Sequence, residues 1–181
     1  WAALLQDPQT WPALGMTIWT GLSATLLATG ITACILARWL AATGTAQGLD
    51  KWARWMSPLL SVPHAAFAIG MVALLAPGGW LLRLVSPWPS GLESPPAWAT
   101  TQDPWGLGLI AVLVLKEVPF LLWAALAYVQ QPGVQAQLRQ SLRLAATWGY
   151  SDAQAWWRIG WPQLVRHLTA PLLAVLAYSL T

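Results

Sequence analysis

The sequence predicts an all-α protein, a polytopic bundle of membrane-crossing helices. Of its 181 residues, 57% are hydrophobic and only 8% are charged, whereas an ordinary soluble domain carries about 25% charged residues. Fifteen residues are Trp, a side chain that favours the boundary between bilayer and water. So few charges cannot cover a soluble domain, and a net charge of +3 is too small to indicate nucleic-acid binding.

Four apolar segments are long enough to be predicted as membrane spans, since a helix needs about 20 apolar residues to cross the hydrocarbon core. They are residues 14–37, 58–76, 106–129 and 168–181. The chain starts at Trp1 instead of an initiator Met, and it stops within an apolar run. We therefore expect residues 1–181 to form a single membrane domain that is a piece of a longer polypeptide.

The Lys and Arg residues predict the orientation of these spans, because basic residues accumulate in cytoplasmic loops. Two connecting loops are basic, and they contain Arg38, Lys51 and Arg54 in the first case and Arg139, Arg143, Arg158 and Arg166 in the second. The loop between them, residues 77–105, has only Arg83 and includes a short predicted helix at residues 80–85. The two basic loops are thus predicted to be cytoplasmic, with the N-terminus and residues 77–105 on the other side.

Residues 132–162 are predicted to form a helical hairpin outside the bilayer. Its first helix starts at Pro132 and places Leu138, Leu142 and Ala145 on one face, since these residues follow a spacing of four and three. Gly149 is expected to end this helix in the left-handed conformation.

The second helix of the hairpin is predicted at residues 152–159. Ser151 and Gln154 have the spacing of a capping box, Gly160 is expected to close the helix, and Pro162 to lead into the fourth span. Helices this short are marginal in water, so the hairpin needs support from the membrane surface or from another protein. Its predicted apolar contacts are Trp148, Trp156, Trp157 and Ile159.

Lys116 and Glu117 are adjacent charges in the middle of the third predicted span, close to Pro119. A charged residue at mid-membrane costs roughly 3 kcal/mol on insertion scales. Neighbouring residues of a helix point about 100° apart, so each charge needs a partner elsewhere, and His64 is one candidate. The sequence leaves two interpretations open: a translocation pathway in which Glu117 contacts a cationic substrate, or a polar clamp between helices.

The hairpin also resembles the EAA signature of binding-protein-dependent ABC importer permeases. That signature reads Glu-Ala-Ala, three residues, Gly, nine residues, Ile, one residue, Leu-Pro. The positions that match are Ala145, Gly149, Ile159 and Pro162, and Ser151 is also common in the family; Arg143, Leu144 and Trp161 depart from it. The resemblance covers essentially the whole chain. It implies a methionine-importer-like transmembrane core, of which four of the five spans are present.

The resemblance implies a permease domain in a bacterial inner membrane whose hairpin docks on a separate cytoplasmic ATPase. The implied partners are that ATPase, a second permease half and a periplasmic solute-binding protein. The chain looks most like one half of the double-length permeases for thiamine and ferric iron, on the basis of the stretches "LVLKEVPFLLWAALAYV" and "DPQTWPALGMTIWTG". This resemblance suggests thiamine or a related cation as the substrate. The implied coupling residues are Arg143, Ala145, Gly149, Ser151, Trp156, Ile159 and Pro162.

Two other functions remain open. Arg143 reverses the charge of the family's Glu, which would fit a degenerate half that only holds a complex together. An intramembrane enzyme would need a clustered catalytic set, and the spans offer only His64, Lys116 and Glu117. We expect no cofactor in this chain, since ATP would be bound by the partner. We also expect no metal site, because the two His residues are far apart and Cys34 is the single Cys.

Overall fold

A computed structural model describes residues 5–43, 56–88 and 103–180, together with residues 90, 91, 93, 94, 96, 97 and 100. This part of the chain is helical and contains no strand. Lys51 and Arg54 of the predicted first loop lie outside it. The helices are α1 (Thr10–Thr43), α2 (His64–Leu75), α3 (Trp80–Val85), α4 (Leu107–Val129), α5 (Pro132–Thr147), α6 (Asp152–Ala155), α7 (Trp161–His167) and α8 (Thr169–Ser179).

The all-α architecture predicted from composition is confirmed. Three helical stretches of the described residues are long and apolar enough to cross a membrane, namely Thr10–Trp39, His64–Val85 and Leu107–Val129. The apolar helix α8 is shorter, with 11 residues. The helix limits therefore differ from the predicted spans 14–37, 58–76 and 168–181, and the number of crossings stays a prediction.

Small side chains on α1 allow it to pack closely against α4 and α8. Ala24, Ala28 and Thr32 are buried on one face of α1. Near the start of this face, a Cβ at Gly21 would lie 2.8 Å from the Leu180 side chain. Because small residues let helix backbones approach one another, this face holds the centre of the bundle.

The second predicted span is interrupted close to one end. Residues 56–61 are helical, Val62 and Pro63 are not, and α2 begins at His64. Pro63 explains the interruption, because proline has no N–H to donate and forces the preceding residue into an extended conformation. α2 itself contains no buried residue.

The end of α5 is built as the sequence predicts. Gly149 has a φ of +83°, and the N–H of Gly149 donates to the carbonyl of Ala146 at 3.0 Å. The N–H of Tyr150 donates to the carbonyl of Ala145 at 3.2 Å. These two bonds form a Schellman motif, which satisfies carbonyls at the helix end.

The predicted capping box at Ser151 is also present. The Gln154 backbone N–H donates to the Ser151 hydroxyl oxygen at 3.3 Å, and the Ser151 N–H donates to Oε1 of Gln154 at 3.0 Å. The two short helices of the hairpin thus meet at a turn in which both helix ends are capped.

The prediction that Gly160 closes the second helix is wrong. α6 continues through a π-helical turn, Trp156–Gly160, directly into α7. Gly160 has right-handed helical angles (φ −64°, ψ −55°), and the Trp161 N–H donates to the carbonyl of Trp156. Pro162 has no N–H for the carbonyl of Arg158, and the wider π turn ahead of it accommodates the proline ring.

The helix ends instead at Leu168, where the backbone angles are φ −93° and ψ 7°. Pro171 lies three residues further on and has no N–H to bond the carbonyl of His167. The chain then continues as α8, so the segment that enters the predicted fourth span consists of two helical pieces with a break between them.

Candidate functional site

A cavity of about 620 Å³ lies between the helical segment 56–61, α2, α4 and α8. Its polar lining groups come from different elements, so only the tertiary fold brings them together. They include Ser61, His64, Lys116, Glu117 and Tyr178. Three of the four residues predicted for a pathway or a clamp thus line one cavity.

Lys116 is buried and reaches across the cavity to the interrupted helix. Its ammonium group donates to the carbonyls of Leu59 and Val62, the latter at 2.6 Å. In an unbroken helix the Leu59 carbonyl would accept the N–H of residue 63, which is a proline here. Lys116 therefore supplies the donor that Pro63 lacks, at the helix end where a cation is favoured.

Glu117 reaches in a different direction, to α8. It is 2% exposed, and the Ser179 hydroxyl donates to its Oε1. The second carboxyl oxygen, Oε2, has no hydrogen-bond partner among the described residues. An unsatisfied buried polar atom costs roughly 1–3 kcal/mol, and among the described residues this oxygen shares that state with side-chain atoms of Thr25, Thr32 and Trp156.

His64 lines the cavity with Lys116 and Glu117, whereas Pro119 does not belong to its lining. The ring of His64 lies 3.8 Å, centroid to centroid, from the ring of Tyr178. Among the described residues the hydrogen bonds of Lys116 go to Leu59 and Val62 and that of Glu117 comes from Ser179, so the role of His64 as a candidate partner stays a prediction. Pro119 lies inside α4, which runs through it without a break.

The hairpin presents an apolar surface at its turn. Trp148 is 80% exposed, and Leu144 and Trp157 are also exposed. Arg143 is exposed and lines a shallow groove of about 180 Å³ together with Asp152. Isolated exposed apolar residues are common, but here two Trp and a Leu are grouped around one capped turn.

Trp156 does not belong to this exposed surface, contrary to the sequence prediction. It is 3% exposed and packs in the main core with Leu36, Leu126 and Leu164. A Cβ at Gly160 would lie 2.7 Å from the Trp156 ring, so the glycine makes room for it. Trp156 thus connects the hairpin to α1, α4 and α7.

Five of the predicted coupling positions have structural roles in or beside the hairpin, namely Ala145, Gly149, Ser151, Ile159 and Pro162. Ala145 is buried, Ile159 is partly buried, and Gly149 and Ser151 form the turn. A hydrogen bond also holds α5 to α7, since the Gln163 side chain donates to the Ser141 hydroxyl at 3.3 Å.

Sequence reasoning missed the partners of the buried charges. Ser179 is 62 positions from Glu117, and no local pattern connects them. For Lys116 a signal existed: Pro63 within an apolar run implies an unbonded carbonyl four residues earlier, at Leu59. A buried lysine elsewhere in the chain is a natural donor for it.

Comparison with known proteins gives one informative match. The chain is 31% identical over 187 aligned positions to the Escherichia coli inner membrane ABC transporter permease protein YnjC. The chain is similar to an ABC transporter permease. The alignment covers 100% of the chain and 32% of the permease, so the chain spans about a third of that relative's length. No protein-family model and no solved structure gives a significant match.

Proposed function

We propose that this chain is the membrane core of an ABC importer permease, located in a bacterial inner membrane. The observation that carries the proposal is the similarity of the whole chain to part of an ABC transporter permease. In the proposed orientation the N-terminus of this piece is periplasmic and the hairpin is cytoplasmic. The solute is small, with thiamine or a related cation suggested by the resemblance to double-length permeases.

The hairpin is proposed to receive force from a separate ATPase. Three features of the geometry support this role: a capped turn, an exposed apolar group around Trp148, and the buried Trp156 behind it. A rigid element with its root in the core can move α1 and α4 when its tip is pushed. Such a push would change access to the cavity, as alternating access requires.

The ATPase, a second permease half and a periplasmic solute-binding protein are the proposed partners. A degenerate half that holds a complex together without transporting is the alternative, and Arg143 favours it because it replaces the acid of the EAA signature. Both proposals predict binding of an ATPase, but only the first predicts solute uptake that depends on the cavity.

Co-purification tests the docking proposal. The protein with Trp148→Ala should retain less than a tenth of the ATPase that accompanies the wild type, because a central interface Trp contributes about 2 kcal/mol or more. Trp88→Ala is the matched control, since Trp88 is 85% exposed in the opposite loop. If the Trp148→Ala protein still co-purified with a wild-type amount of an ATPase that contains a Walker A sequence, this result would contradict docking at this surface.

Cysteine labelling tests the orientation independently. In a Cys34→Ser background, Thr147→Cys in the hairpin should react only from the cytoplasmic side, and Ser94→Cys only from the periplasmic side. Labelling of Thr147→Cys from the periplasm would reject the ATPase-coupling role. Loss of solute uptake with retained ATPase binding in Glu117→Gln would favour transport over the scaffold alternative.

A further inference from the structure

We propose that the 620 Å³ cavity is a binding site for a small organic solute that carries a protonated amine, with the carboxyl group of Glu117 as its acceptor. The inference rests on the proposed transport function for the role of this cavity as a solute pathway. It adds to that function a location in the fold and the protonated amine as the recognised group.

The acceptor is the first argument. Glu117 is 2% exposed, and Oε2 has no hydrogen-bond partner among the described residues. Its other oxygen is held by Ser179, so the position of the carboxyl group is set by α8. Glu117 lines the cavity, and a carboxyl group with one oxygen that lacks a donor is complementary to a ligand that brings one.

The neighbouring positive charge is already satisfied. Lys116 donates to two backbone carbonyls of the interrupted helix, and its ammonium group lies 5.6 Å from the centroid of the Phe67 ring. Two of its three N–H groups are thus satisfied by backbone carbonyls. Among the described residues Lys116 therefore leaves the Glu117 carboxyl group without a cationic partner, which favours a cationic over an anionic solute.

The walls supply the rest of the site. Aromatic rings line it from three elements, namely His64, Phe120, Trp123 and Tyr178. Aromatic faces attract ammonium groups within about 6 Å and also cover apolar carbon. Volumes of about 300–1,000 Å³ with few polar groups are typical of small-molecule sites, so a compact aromatic or aliphatic amine is the expected occupant.

A set of three probes of equal size separates charge from shape. The purified protein in nanodiscs would be titrated with 4-fluorobenzylammonium, 4-fluorobenzyl alcohol and 4-fluorobenzoate, with binding read from fluorine NMR and empty nanodiscs as the baseline. Only the ammonium compound should bind saturably. Glu117→Gln should weaken it by at least about tenfold, because a charge-assisted hydrogen bond is lost.

Asp103→Asn is the matched control, since it removes the same charge from a loop outside the cavity. It should leave binding unchanged. Ala174→Trp, on the α8 wall of the cavity, should abolish binding of the ammonium probe by filling space. If the circular dichroism of Glu117→Gln differs from that of the wild type, because this variant does not fold, Ala174→Trp tests the cavity as the binding site in its place.

Four results would overturn the site: no saturable binding above empty nanodiscs, equal binding of the alcohol, stronger binding of the benzoate, or unchanged binding in Ala174→Trp. None of these measurements needs an ATPase. A protein that brings down its ATPase but binds no amine would keep the proposed function and lose this site. One that binds the amine without an ATPase would do the reverse.

Discussion

The hairpin and the cavity are built in opposite ways. The hairpin turn is made by hydrogen bonds between residues three to five positions apart, such as the Ser151–Gln154 pair. The cavity is held by bonds that join residues 57 and 62 positions apart, from Lys116 to Leu59 and from Ser179 to Glu117. Local bonds make an element that keeps its shape, whereas long-range bonds make one whose shape depends on the whole bundle.

The difference matters for the proposed mechanism. A lever must stay rigid while it moves, and the capped turn with Trp156 at its root meets that need. A pathway must open and close, and two walls of the cavity, the segment 56–61 and α8, are hydrogen-bonded to buried charged side chains of α4. We therefore expect perturbations of the hairpin root to destabilise the fold and perturbations of the cavity to alter its walls.

The largest effect is expected at Trp156, where the hairpin joins the core. Trp156→Ala should lower the free energy of unfolding by about 3–5 kcal/mol, because a large buried side chain is replaced by a cavity. Denaturant unfolding of the purified protein measures this. Trp148→Ala should change the same quantity by less than about 0.5 kcal/mol, since Trp148 is exposed. Equal losses would remove the distinction between root and tip.

The second effect tests the cavity wall. Lys116→Met should destabilise the protein by about 1–3 kcal/mol, because the carbonyls of Leu59 and Val62 lose their donor. In a Cys34→Ser background, Met56→Cys, at a buried position of the segment 56–61, should then react faster with a thiol reagent as this segment separates from α4. Lys116→Arg keeps a donor and should preserve slow labelling. A Lys116→Met protein with wild-type stability and labelling would show that this bond does not hold the wall.

The third effect tests the local signals of the hairpin. Gly149→Ala should cost roughly 1 kcal/mol, because Gly149 has a φ of +83° that side chains with a Cβ rarely adopt. Gly133→Ala, inside α5, is the control, because a Cβ at this position meets nothing within 4 Å. That change should be neutral or stabilising by up to about 1 kcal/mol. Thermal unfolding of both variants compares them, and a destabilised Gly133→Ala would count against this account.

The smallest effect lies in the loop before α4. Oδ1 of Asp103 accepts the Gly108 N–H at 3.0 Å, and bonds from Gly108 and then Leu107 hold the pKa of Asp103 below its ordinary 3.8. Because the pKa is lowered in the folded protein, the charged carboxylate stabilises the fold at pH values above the ordinary pKa. This contribution is lost as the pH falls through the lowered pKa.

Asp103→Asn should therefore lower the unfolding temperature slightly at about pH 7, and this difference should shrink as the pH falls below 3.8. Glu93→Gln, in the same loop, controls for the loss of one negative charge. A gap between wild type and Asp103→Asn that stays constant over this pH range would show that the carboxylate does not stabilise the start of α4.

The two regions also differ in how far the sequence predicted them. Gly149 and the Ser151–Gln154 spacing predicted the turn correctly, because these signals act through neighbouring backbone groups. Gly160 misled, since a glycine that ends one helix can also make room for a ring, here that of Trp156. Trp156 itself was predicted on the surface because four Trp and Ile side chains in a short amphipathic segment do not reveal which one turns inward.

Composition and short-range spacing by themselves determined that this protein is an all-α membrane bundle with a capped hairpin. Backbone propensity and apolar length act within a few residues, so they can be read without a fold. Tertiary structure alone decided that Lys116 bonds to the helix end left open by Pro63, that Ser179 holds Glu117, and that Trp156 lies in the core. Those contacts join segments far apart in the chain, and they form only when the packing of α1, α4 and α8 brings their side chains together.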